Sequence, residues 1–315
     1  MGPVNHRPVL LRESMASLAC RPGGRWVDAT VGAGGHAEEI LRLTTPDGWL
    51  LGCDRDADAL AAAGRRLRPY AGRVVLRHTD FRRIPSILDG LGAVPVDGIL
   101  VDLGVSSLQL DDPERGFSFR RDGPLDMRMD RSAPTTAADL VNSLLEGEIA
   151  SILSRYGEEP AARRIARAIG RERRRAPITS TGRLASIVSR AAGRRRPRIH
   201  PATRAFQALR VAVNDEITGL DRFLEESAWR LRAGGRIVVI SFHSLEDRIV
   251  KRTLQSLADR CLCPRDLPLC GCGRPNLVRV LSRRAARPAP RETAANPRAR
   301  SARLRAAERL AGATR

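Results

Sequence analysis

Residues 25–54 of the chain, RWVDATVGAGGHAEEILRLTTPDGWLLGCD, decide its fold class. An apolar strand is predicted at 25–30, a glycine loop at 31–35, a helix at 36–43 and a second apolar strand at 49–53. Strands that are apolar throughout are buried on both faces, and helices between such strands form the crossovers of a parallel sheet. This stretch therefore predicts an α/β fold with a doubly wound sheet.

The same alternation continues along the chain. A further helix is predicted at 56–67, and further strands are predicted at 74–77, 98–101 and 236–242. The interval between the fourth and fifth strands is too long for a single crossover, and loops of that length without structure of their own are rare in compact domains. The interval therefore predicts an inserted domain.

The inserted domain is predicted to be all-helical. Helical periodicity is found at 139–155, 160–174 and 181–192. Ser180 stands where the last of these helices needs an N-cap. A long helix or helix pair from 202 to 231, ended by Gly234 and Gly235, leads back to the sheet.

Three regions follow from these segments. Residues 1–111 and 211–285 are predicted to form a discontinuous α/β domain, and residues 112–210 the inserted helical domain. Residues 286–315 consist mainly of arginine, alanine and proline, which predicts a basic and largely disordered tail.

The positive charge of the chain is concentrated in two segments. The net charge is +20, while residues 155–210 hold sixteen arginines against three acidic residues and residues 274–315 hold twelve against two. Such segregation indicates a polyanionic partner, most simply a nucleic acid. Lys251 is the sole lysine, which indicates a GC-rich genome and leaves solubility or a protein partner as alternative reasons for the charge.

The sequence gives no indication of a membrane span or a secretory signal, so a cytosolic protein is expected. Cys20 and Cys53 stand near apolar residues and are predicted to be inert core thiols. The other four cysteines form two CxC pairs six residues apart, at Cys261, Cys263, Cys270 and Cys272. They fit either a zinc clamp or a cysteine-rich loop without metal, and we assign no metal site.

The glycine loop is a candidate cofactor site. Gly32, Gly34 and Gly35 bring backbone amides close to a ligand, but they also satisfy a loose dinucleotide fingerprint. Asp28 at the first strand end suits a cationic amine and would repel a pyrophosphate, whereas Asp54 at the second can accept hydrogen bonds from ribose hydroxyls. An amine and a ribose without phosphate favour S-adenosylmethionine over a nicotinamide cofactor.

Two residues of this candidate site have alternative interpretations. Asp54 could instead serve the helix that follows it. Phe81 lies just past the third strand, where it could stack on an adenine ring or pack in the core.

Residues 102–130 combine many charged and polar side chains without helical or strand periodicity. This pattern predicts an ordered functional loop rather than part of the core. At its start, Asp102 and Ser106 can accept hydrogen bonds from an amine that attacks a methyl group, so we predict them as catalytic residues. The absence of cysteine at this strand end argues against covalent attack on a pyrimidine ring.

Eight segments match the motifs of one known family along nearly the whole chain. They are HRPVLLRE from His6, DATVGAGGHA from Asp28, CDRDADAL from Cys53, DLGVSSLQLDDPERGFSFRRDGPLDMRMD from Asp102, YGEE from Tyr156, HPATRAFQALRVAVNDE from His200, ISFHSLEDRIVKR from Ile240 and NPRARSARLR from Asn296. On these motifs the chain resembles the bacterial ribosomal RNA small subunit methyltransferase H family. One departure from many other amino-methyltransferases is Asp102-Leu103-Gly104-Val105, where those enzymes carry an Asp-Pro-Pro-aromatic motif, which leaves the proton acceptor open.

The resemblance implies a class I (Rossmann-like) S-adenosylmethionine-dependent methyltransferase sheet with an inserted all-helical domain. It implies that the enzyme methylates the exocyclic N4 of a cytidine in the decoding centre, at the P site of small-subunit 16S rRNA. The implied donor contacts are Gly34, Gly35, His36, Asp54, Phe81, Asp102 and Gln109. Sequence alone would place His36 on a solvent-facing first turn, and only the resemblance makes it a donor contact.

The expected partner is 16S rRNA in the small ribosomal subunit, with no membrane and with either a monomer or a homodimer. The target base must leave its helix, and Phe117, Phe119 and Phe242 are candidate stacking partners. Arginines at 163–175, 194–198 and 298–305 are predicted to bind phosphate. The alternative is a non-catalytic RNA-binding protein of ribosome assembly, which would have no need of Asp28, Asp54, Asp102 and the glycines.

Overall fold

The structure, a computed structural model, describes residues 8–193, 200–259 and 276–312 together with Leu267 and Gly271. The strands of its seven-stranded sheet are β1 Arg25–Asp28, β2 Trp49–Asp54, β3 Val74–His78, β4 Val96–Asp102, β5 Leu231–Ser241, β6 Val278–Val280 and β7 Arg303–Arg309. Their order across the sheet is β3-β2-β1-β4-β5-β7-β6. The first five strands are parallel, and β7 runs antiparallel to both of its neighbours.

The helices of the described residues surround this sheet or form a group of their own. In chain order they are α1 Leu11–Leu18, α2 Gly35–Leu43, α3 Ala57–Arg66, α4 Ile84–Gly90, α5 Ser107–Asp111, α6 Ala137–Ser143, α7 Glu146–Gly157, α8 Ala162–Arg173, α9 Thr181–Ala192, α10 Ala202–Asn214, α11 Leu220–Arg230, α12 Ser244–Ala258 and α13 Pro290–Ala295.

The chain divides into two compact units. We call residues 1–104 and 218–315 the α/β unit and residues 105–217 the helical unit. The sheet belongs to the first unit, and α5 to α10 belong to the second. The predicted α/β class, with a class I methyltransferase sheet and a helical insertion, is confirmed, while the predicted insertion limits at 112 and 210 fall inside the observed helical unit.

Both faces of the sheet are buried, as the apolar strands predict. Val27, Ile99 and Ile237 pack on one face together with side chains of α4, α11 and α12. Their strand neighbours Trp26 and Leu100 pack on the other face with α1, α2 and α3. Successive strand residues point to opposite faces, so a strand buried on both faces has no polar position until it ends.

The prediction of a largely disordered tail was wrong. Residues 303–309 form β7, which lies between β5 and β6, and α13 precedes it. Leu304, Ala306 and Ala307 are buried, and the backbone pairs with both neighbouring strands. A composition of arginine, alanine and proline predicts too little apolar surface for folding, but small side chains suffice where the sheet supplies hydrogen bonds on both sides.

The predicted end of the long helix pair at Gly234 and Gly235 was also wrong. The helix α11 ends at Arg230, and both glycines lie inside β5. The pairing of β4 with β5 shifts register there, and a Cβ on Gly235 would lie 3.1 Å from the carbonyl oxygens of Val96 and Asp97. Gly235 therefore allows two backbones to approach closely, while Gly234 has a φ of 76°, and neither residue caps a helix.

The helical unit has its own core, built by α6 to α10 and by apolar side chains of the loop before them. Leu144 and Leu145 are extended and divide the predicted helix at 139–155 into α6 and α7. The predicted cap of α9 is confirmed, because the Ser180 hydroxyl accepts a hydrogen bond from the Arg183 N–H at 3.2 Å.

The functional loop predicted at 102–130 contributes to this core, which the prediction excluded. Phe117, Leu125 and Met127 are buried among the helices. Arg115 is also buried, and its guanidinium donates to the carbonyls of Arg128 and Met129 at 3.0 and 2.9 Å. Arg115 thus connects two parts of the loop, and its guanidinium group stabilises the loop conformation.

In the described part of the chain no helix is both long and apolar enough to cross a bilayer. Cys53 is buried and Cys20 is half-buried, and burial raises the pKa of each thiol to about 12. Both are therefore unreactive thiols at neutral pH, as predicted. The four cysteines of the two CxC pairs lie outside the described residues.

Candidate active site

Three carboxylates end three adjacent strands of the sheet. Asp28 is the last residue of β1, Asp54 of β2 and Asp102 of β4. Because β1 lies between β2 and β4 and all three are parallel, the acids share the carboxyl edge of the sheet. Ligands of open α/β sheets bind at this edge, where the strand order reverses.

The glycine loop lies between β1 and α2 at the same edge. Gly34 has a φ of 82°, and a Cβ there would lie 3.3 Å from the Ala63 Cα. A Cβ on Gly35 would lie 2.4 Å from the Pro8 Cγ. Both positions therefore require glycine, the first for its left-handed backbone and both for close packing. The tight turn delivers the first amides of α2 to the edge of the sheet.

Asp54 holds the glycine loop and the start of α3. Its Oδ2 accepts a hydrogen bond from the Gly32 N–H at 2.8 Å, and its Oδ1 accepts one from the Asp56 N–H at 2.9 Å. Burial raises the pKa of this carboxyl although the two amides act against the shift. Each carboxylate oxygen has a second lone pair, so Asp54 can still accept hydrogen bonds from a ligand. Asp56, not Asp54, caps α3.

Asp28 is a buried acid with an unsatisfied oxygen. Its Oδ1 accepts from the Thr30 N–H at 3.2 Å, while its buried Oδ2 has no hydrogen-bond partner among the described residues. Burial, with a smaller contribution from Asp54, raises the pKa of Asp28 to about 7. A buried carboxyl oxygen without a partner is costly, which indicates that a donor from a ligand completes the site.

Asp102 shares this property. Its Oδ1 is buried without a hydrogen-bond partner among the described residues, whereas its N–H donates to the Thr30 Oγ1 at 2.6 Å. Burial, followed by the charges of Asp28 and Glu246, raises the pKa of Asp102 well above its ordinary value. The side chain is 24% exposed, so a ligand can reach it. Two neighbouring acids that resist ionisation favour a cationic ligand.

His36 is buried, contrary to the solvent-facing position that sequence alone indicates. Its Nε2 lies 3.1 Å from the Val9 carbonyl oxygen. The carbonyl can only accept, so Nε2 carries the hydrogen and donates it. The opposite ring atom, Nδ1, lies 3.7 Å from the Asp102 Oδ2. The ring thus connects the glycine loop to the acid that ends β4.

Phe81 lies three residues beyond the end of β3 and is half-buried. Its ring meets Phe223 edge to face, with ring centroids 4.9 Å apart, and Arg82 stacks on it at 5.7 Å. Both interpretations of Phe81 are therefore compatible with the structure, because the ring packs against the core while part of it remains accessible.

Ser106 and Gln109 belong to the helical unit, whereas Asp102 belongs to the α/β unit. The Ser106 hydroxyl accepts from the Gln109 N–H at 3.2 Å, and the Gln109 side-chain oxygen accepts from the Ser106 N–H at 2.9 Å. These reciprocal bonds form the capping box of α5. Sequence analysis missed this box, although a serine followed three residues later by glutamine is its usual signal.

The comparisons with known proteins cover nearly the whole chain. A family model described as the MraW methylase family matches residues 3–310. The chain belongs to the MraW methylase family. Two relatives are named Ribosomal RNA small subunit methyltransferase H: that of Symbiobacterium thermophilum is 54% identical over 97% of each chain, and that of Syntrophobacter fumaroxidans is 53% identical over 98% of each chain.

Sequence analysis of this MraW family member missed Thr30, which contacts two of its acids. Thr30 donates its amide to Asp28 and accepts the Asp102 amide through its hydroxyl. Glu246 accepts from the N–H groups of Phe242 and His243 and raises the pKa of Asp102. The position of Thr30, two residues after the strand-terminal Asp28, was the available signal for this contact.

The arginines predicted to bind phosphate divide into two groups in this member of the MraW family. Arg173 donates to the carbonyls of Val141 and Leu144, and Arg303 and Arg305 pair with Asp247. These side chains hold the fold together. Among the others, Arg163, Arg164, Arg167, Arg171 and Arg300 are exposed and form no ion pair within the described residues. The predicted cluster at 194–198 lies outside the described residues.

The aromatic residues predicted to stack on a base also divide. Phe117 is buried in the core of the helical unit, and Phe119 packs on Phe206 with centroids 4.8 Å apart. Phe242 is half-buried and lies in the α/β unit. Its ring lies close to Gly104, since a Cβ added to that glycine would be 3.4 Å from the ring. Phe117 is therefore unavailable for stacking, whereas Phe242 remains a candidate.

Proposed function

We propose that this protein transfers the methyl group of S-adenosylmethionine to the exocyclic N4 of a cytidine in 16S rRNA, at the P site of the small ribosomal subunit. The observation that carries the proposal is the set of strand-terminal acids beside a glycine loop, two of which have a buried oxygen without a partner in the described structure. Membership of a methylase family and the names of the relatives support it.

The acids and the loop suit each part of the donor. Asp54 has lone pairs left for the ribose hydroxyls, and the unsatisfied Oδ2 of Asp28 suits the donor's ammonium group. Gly34 and Gly35 let the donor approach the backbone. We assign Phe81 to the adenine ring, and we assign His36, Asp102 and Gln109 as further contacts of the donor.

The positive charge of the donor would also offset the cost of ionising the buried acids of the site. Burial raises the pKa values of Asp28 and Asp102, so both acids favour their neutral forms when no cation is present. A sulfonium and an ammonium group would stabilise the ionised carboxylates. A nicotinamide cofactor would instead bring the negative charges of its pyrophosphate beside them.

Methyl transfer requires a lone pair on N4, which is conjugated with the cytosine ring. A carboxylate that accepts a hydrogen bond from N4 raises its electron density, and we assign that role to Asp102. The carbon–sulfur bond breaks as the carbon–nitrogen bond forms, and the N4 proton then leaves to an acceptor. Ser106 is the second proposed acceptor, although its hydroxyl already accepts one hydrogen bond in the α5 cap.

We assign RNA recognition to the helical unit and to the basic surface of the chain. Arg155, Arg163 and Arg167 are exposed on α7 and α8. Guanidinium groups of this kind bind phosphates with an affinity that falls steeply as salt rises. We place the enzyme in the cytoplasm, acting on 16S rRNA of the small subunit, as a monomer or a homodimer.

The proposal is tested by analysing 16S rRNA from cells that lack this protein. Mass analysis of its nucleosides should show that one N4-methylated cytidine loses a methyl group, and expression of the wild-type chain should restore it. Restoration should fail with Asp102→Ala. If Asp102→Ala restores the methyl group as well as the wild type does, the assigned catalytic role is wrong; an unchanged methylation pattern would favour a non-catalytic assembly protein.

A further inference from the structure

A polar cavity of about 220 Å³ opens beside the end of β5 in the α/β unit. Its walls come from the residues that follow β5 and from the segment that leads into β7. The lining residues are Phe242, His243, Ser244, Arg287, Arg300, Ser301, Ala302 and Arg303. We call this cavity the β5–β7 pocket.

The pairing of the strands explains why these residues meet. Ser241, the last residue of β5, pairs with Arg303, the first residue of β7. Ala286 bridges to Leu304, so the chain next to Arg287 is held beside the same end of the sheet. The pocket is therefore a product of the C-terminal segment that sequence analysis predicted to be disordered.

The pocket has an excess of positive charge. Arg287 and Arg300 are exposed and form no ion pair among the described residues. Arg303 donates to the Asp247 carboxylate at 2.7 Å, but Arg305 also pairs with that single carboxylate. Within the described part of the chain, two guanidinium groups of the lining thus have no counter-charge, which favours an anionic ligand.

Three backbone amides around the start of α12 are already engaged in hydrogen bonds within the protein. The Phe242 and His243 N–H groups donate to the Glu246 Oε2 at 2.9 and 3.3 Å, and the Glu246 N–H donates to the His243 Nδ1 at 3.4 Å. The capping box occupies these donors. Arginine side chains must therefore supply most of the recognition, with Ser244 and Ser301 as smaller polar groups of the wall.

The pocket lies beside the strand that carries the proposed catalytic acid. β5 pairs directly with β4, and Asp102 is in register with Ile240, close to the end of β5. Phe242 forms part of the pocket wall and also packs over Gly104, two residues beyond Asp102. A group held in the pocket would therefore lie near the base that reacts at Asp102.

We propose that the β5–β7 pocket binds one phosphodiester group of the RNA strand adjacent to the target nucleotide. The inference rests on the proposed function, since it takes the RNA substrate of that site as the ligand. Arg287 and Arg300 would grip the phosphate oxygens, and Arg303 would add a third positive charge. The phosphate contact would fix the strand and leave the choice of base to the site at Asp102.

Salt-dependent RNA binding tests this proposal without requiring methyl transfer. Fluorescence anisotropy with a labelled single-stranded RNA oligomer is measured for the wild type, for the Arg287→Ala/Arg300→Ala double variant and for Arg291→Ala. Arg291 is an exposed arginine of the same segment outside the pocket. Its replacement therefore removes one positive charge from the segment and leaves the pocket unchanged. Thermal melts establish that each variant is folded.

We expect the double variant to bind RNA more weakly and to lower the slope of log K against log salt by about 0.7, the value for one phosphate of a single strand. Arg291→Ala should leave the slope near that of the wild type. In a further oligomer, the phosphodiester adjacent to the target nucleotide is replaced by an uncharged methylphosphonate. This oligomer should bind the wild type and the double variant equally. Equal slopes for the double variant and Arg291→Ala would overturn the proposal.

Inorganic phosphate separates an RNA site from a site for a free anion. If phosphate stabilises the wild type but not the double variant in thermal melts, while both bind RNA alike, the pocket serves a free anion and the RNA assignment is wrong. Loss of RNA affinity in the double variant supports the proposed RNA-binding role of the pocket even if methylation at N4 is never detected. The binding assay and the methylation assay therefore test the two proposals separately.

Discussion

The His36 Nδ1 lies 3.7 Å from the Asp102 Oδ2, while the Nε2 of the same ring donates to the Val9 carbonyl. Because Nε2 already carries a hydrogen, Nδ1 presents a lone pair to the acid. At 3.7 Å the two atoms are too far apart for a hydrogen bond, so the ring acts on the acid through its polarity and, when protonated, through its charge. The form with a charged imidazole and an ionised Asp102 has the carboxylate that can accept the proton of N4.

Removing Nδ1 should change the pH dependence of the reaction. His36→Gln keeps a donor near the Val9 carbonyl but has no group facing Asp102, whereas His36→Asn keeps a polar group near Asp102 and loses the Val9 contact. We expect His36→Gln to lower kcat by about tenfold to a hundredfold and to move the acidic limb of its pH profile upward, because no positively charged ring then favours the ionised carboxylate. A wild-type profile for His36→Gln would show that the ring does not influence the ionisation of Asp102 in catalysis.

Asp28 should make the donor-free protein less stable as pH rises. In the unfolded chain its carboxyl ionises near 3.8, but in the folded protein its pKa is about 7. Between these values the folded state holds a proton that the unfolded state has lost, so the free energy of unfolding decreases with rising pH. Above pH 7, Asp28→Asn should therefore be more stable than the wild type by roughly 2 to 4 kcal/mol.

Urea unfolding at two pH values checks this sign. The stability difference between Asp28→Asn and the wild type should shrink toward zero as the pH falls below 3.8, where the carboxyl becomes neutral in both states. Calorimetry should show that the stabilised variant binds S-adenosylmethionine more weakly, since it lacks the carboxylate for the ammonium group. A variant that is less stable than the wild type above pH 7 would contradict the assigned burial cost.

Gly34→Ala should damage both stability and donor binding. Its φ of 82° disfavours a side chain, and the new Cβ would lie 3.3 Å from the Ala63 Cα. We expect a loss of about 1 to 2 kcal/mol in unfolding free energy and a clear loss of donor affinity in calorimetry. Gly90→Ala is the matched control in α4, where a Cβ meets no atom within 4 Å, and it should stabilise by about 0.5 to 1 kcal/mol.

Asn214→Ala should release the loop of the helical unit. The Asn214 Oδ1 accepts from the Met129 N–H at 2.7 Å, and its Nδ2 donates to the Met127 carbonyl at 2.7 Å. The variant leaves both buried backbone groups unpaired, so we expect a loss of roughly 2 to 4 kcal/mol in denaturant unfolding. The exposed Asn276→Ala should change stability by less than about 0.5 kcal/mol. A small effect at Asn214 would mean that the loop is held by other contacts.

The sequence predicts those parts of the fold that local pattern controls. The apolar strands, the glycine loop and the Ser180 cap were all found, because each depends on residues close together in the chain. The strand-terminal acids were found for the same reason, since the end of an apolar run shows where a strand delivers a side chain to the sheet edge.

The missed features depend on contacts between distant segments. β7 has one large apolar residue, Leu304, and its pairing with β5 from 62 to 72 residues away cannot be seen locally. The burial of His36 depends on the Val9 carbonyl, 27 residues before it. In the sequence, Gly235 resembles a glycine that ends a helix, and only its close packing against β4 shows its role in the sheet. In each case tertiary packing overrides a correct local rule.

The most direct test follows the methyl group itself. The pure protein is incubated with S-adenosylmethionine that carries a deuterated methyl group and with small subunits from cells that lack this protein; the 16S rRNA is then digested to nucleosides and analysed by mass spectrometry. The account predicts one labelled cytidine per subunit, with the label on N4. A label on a ring carbon, on a ribose oxygen or on another base would contradict it, as would the absence of label despite measurable donor binding.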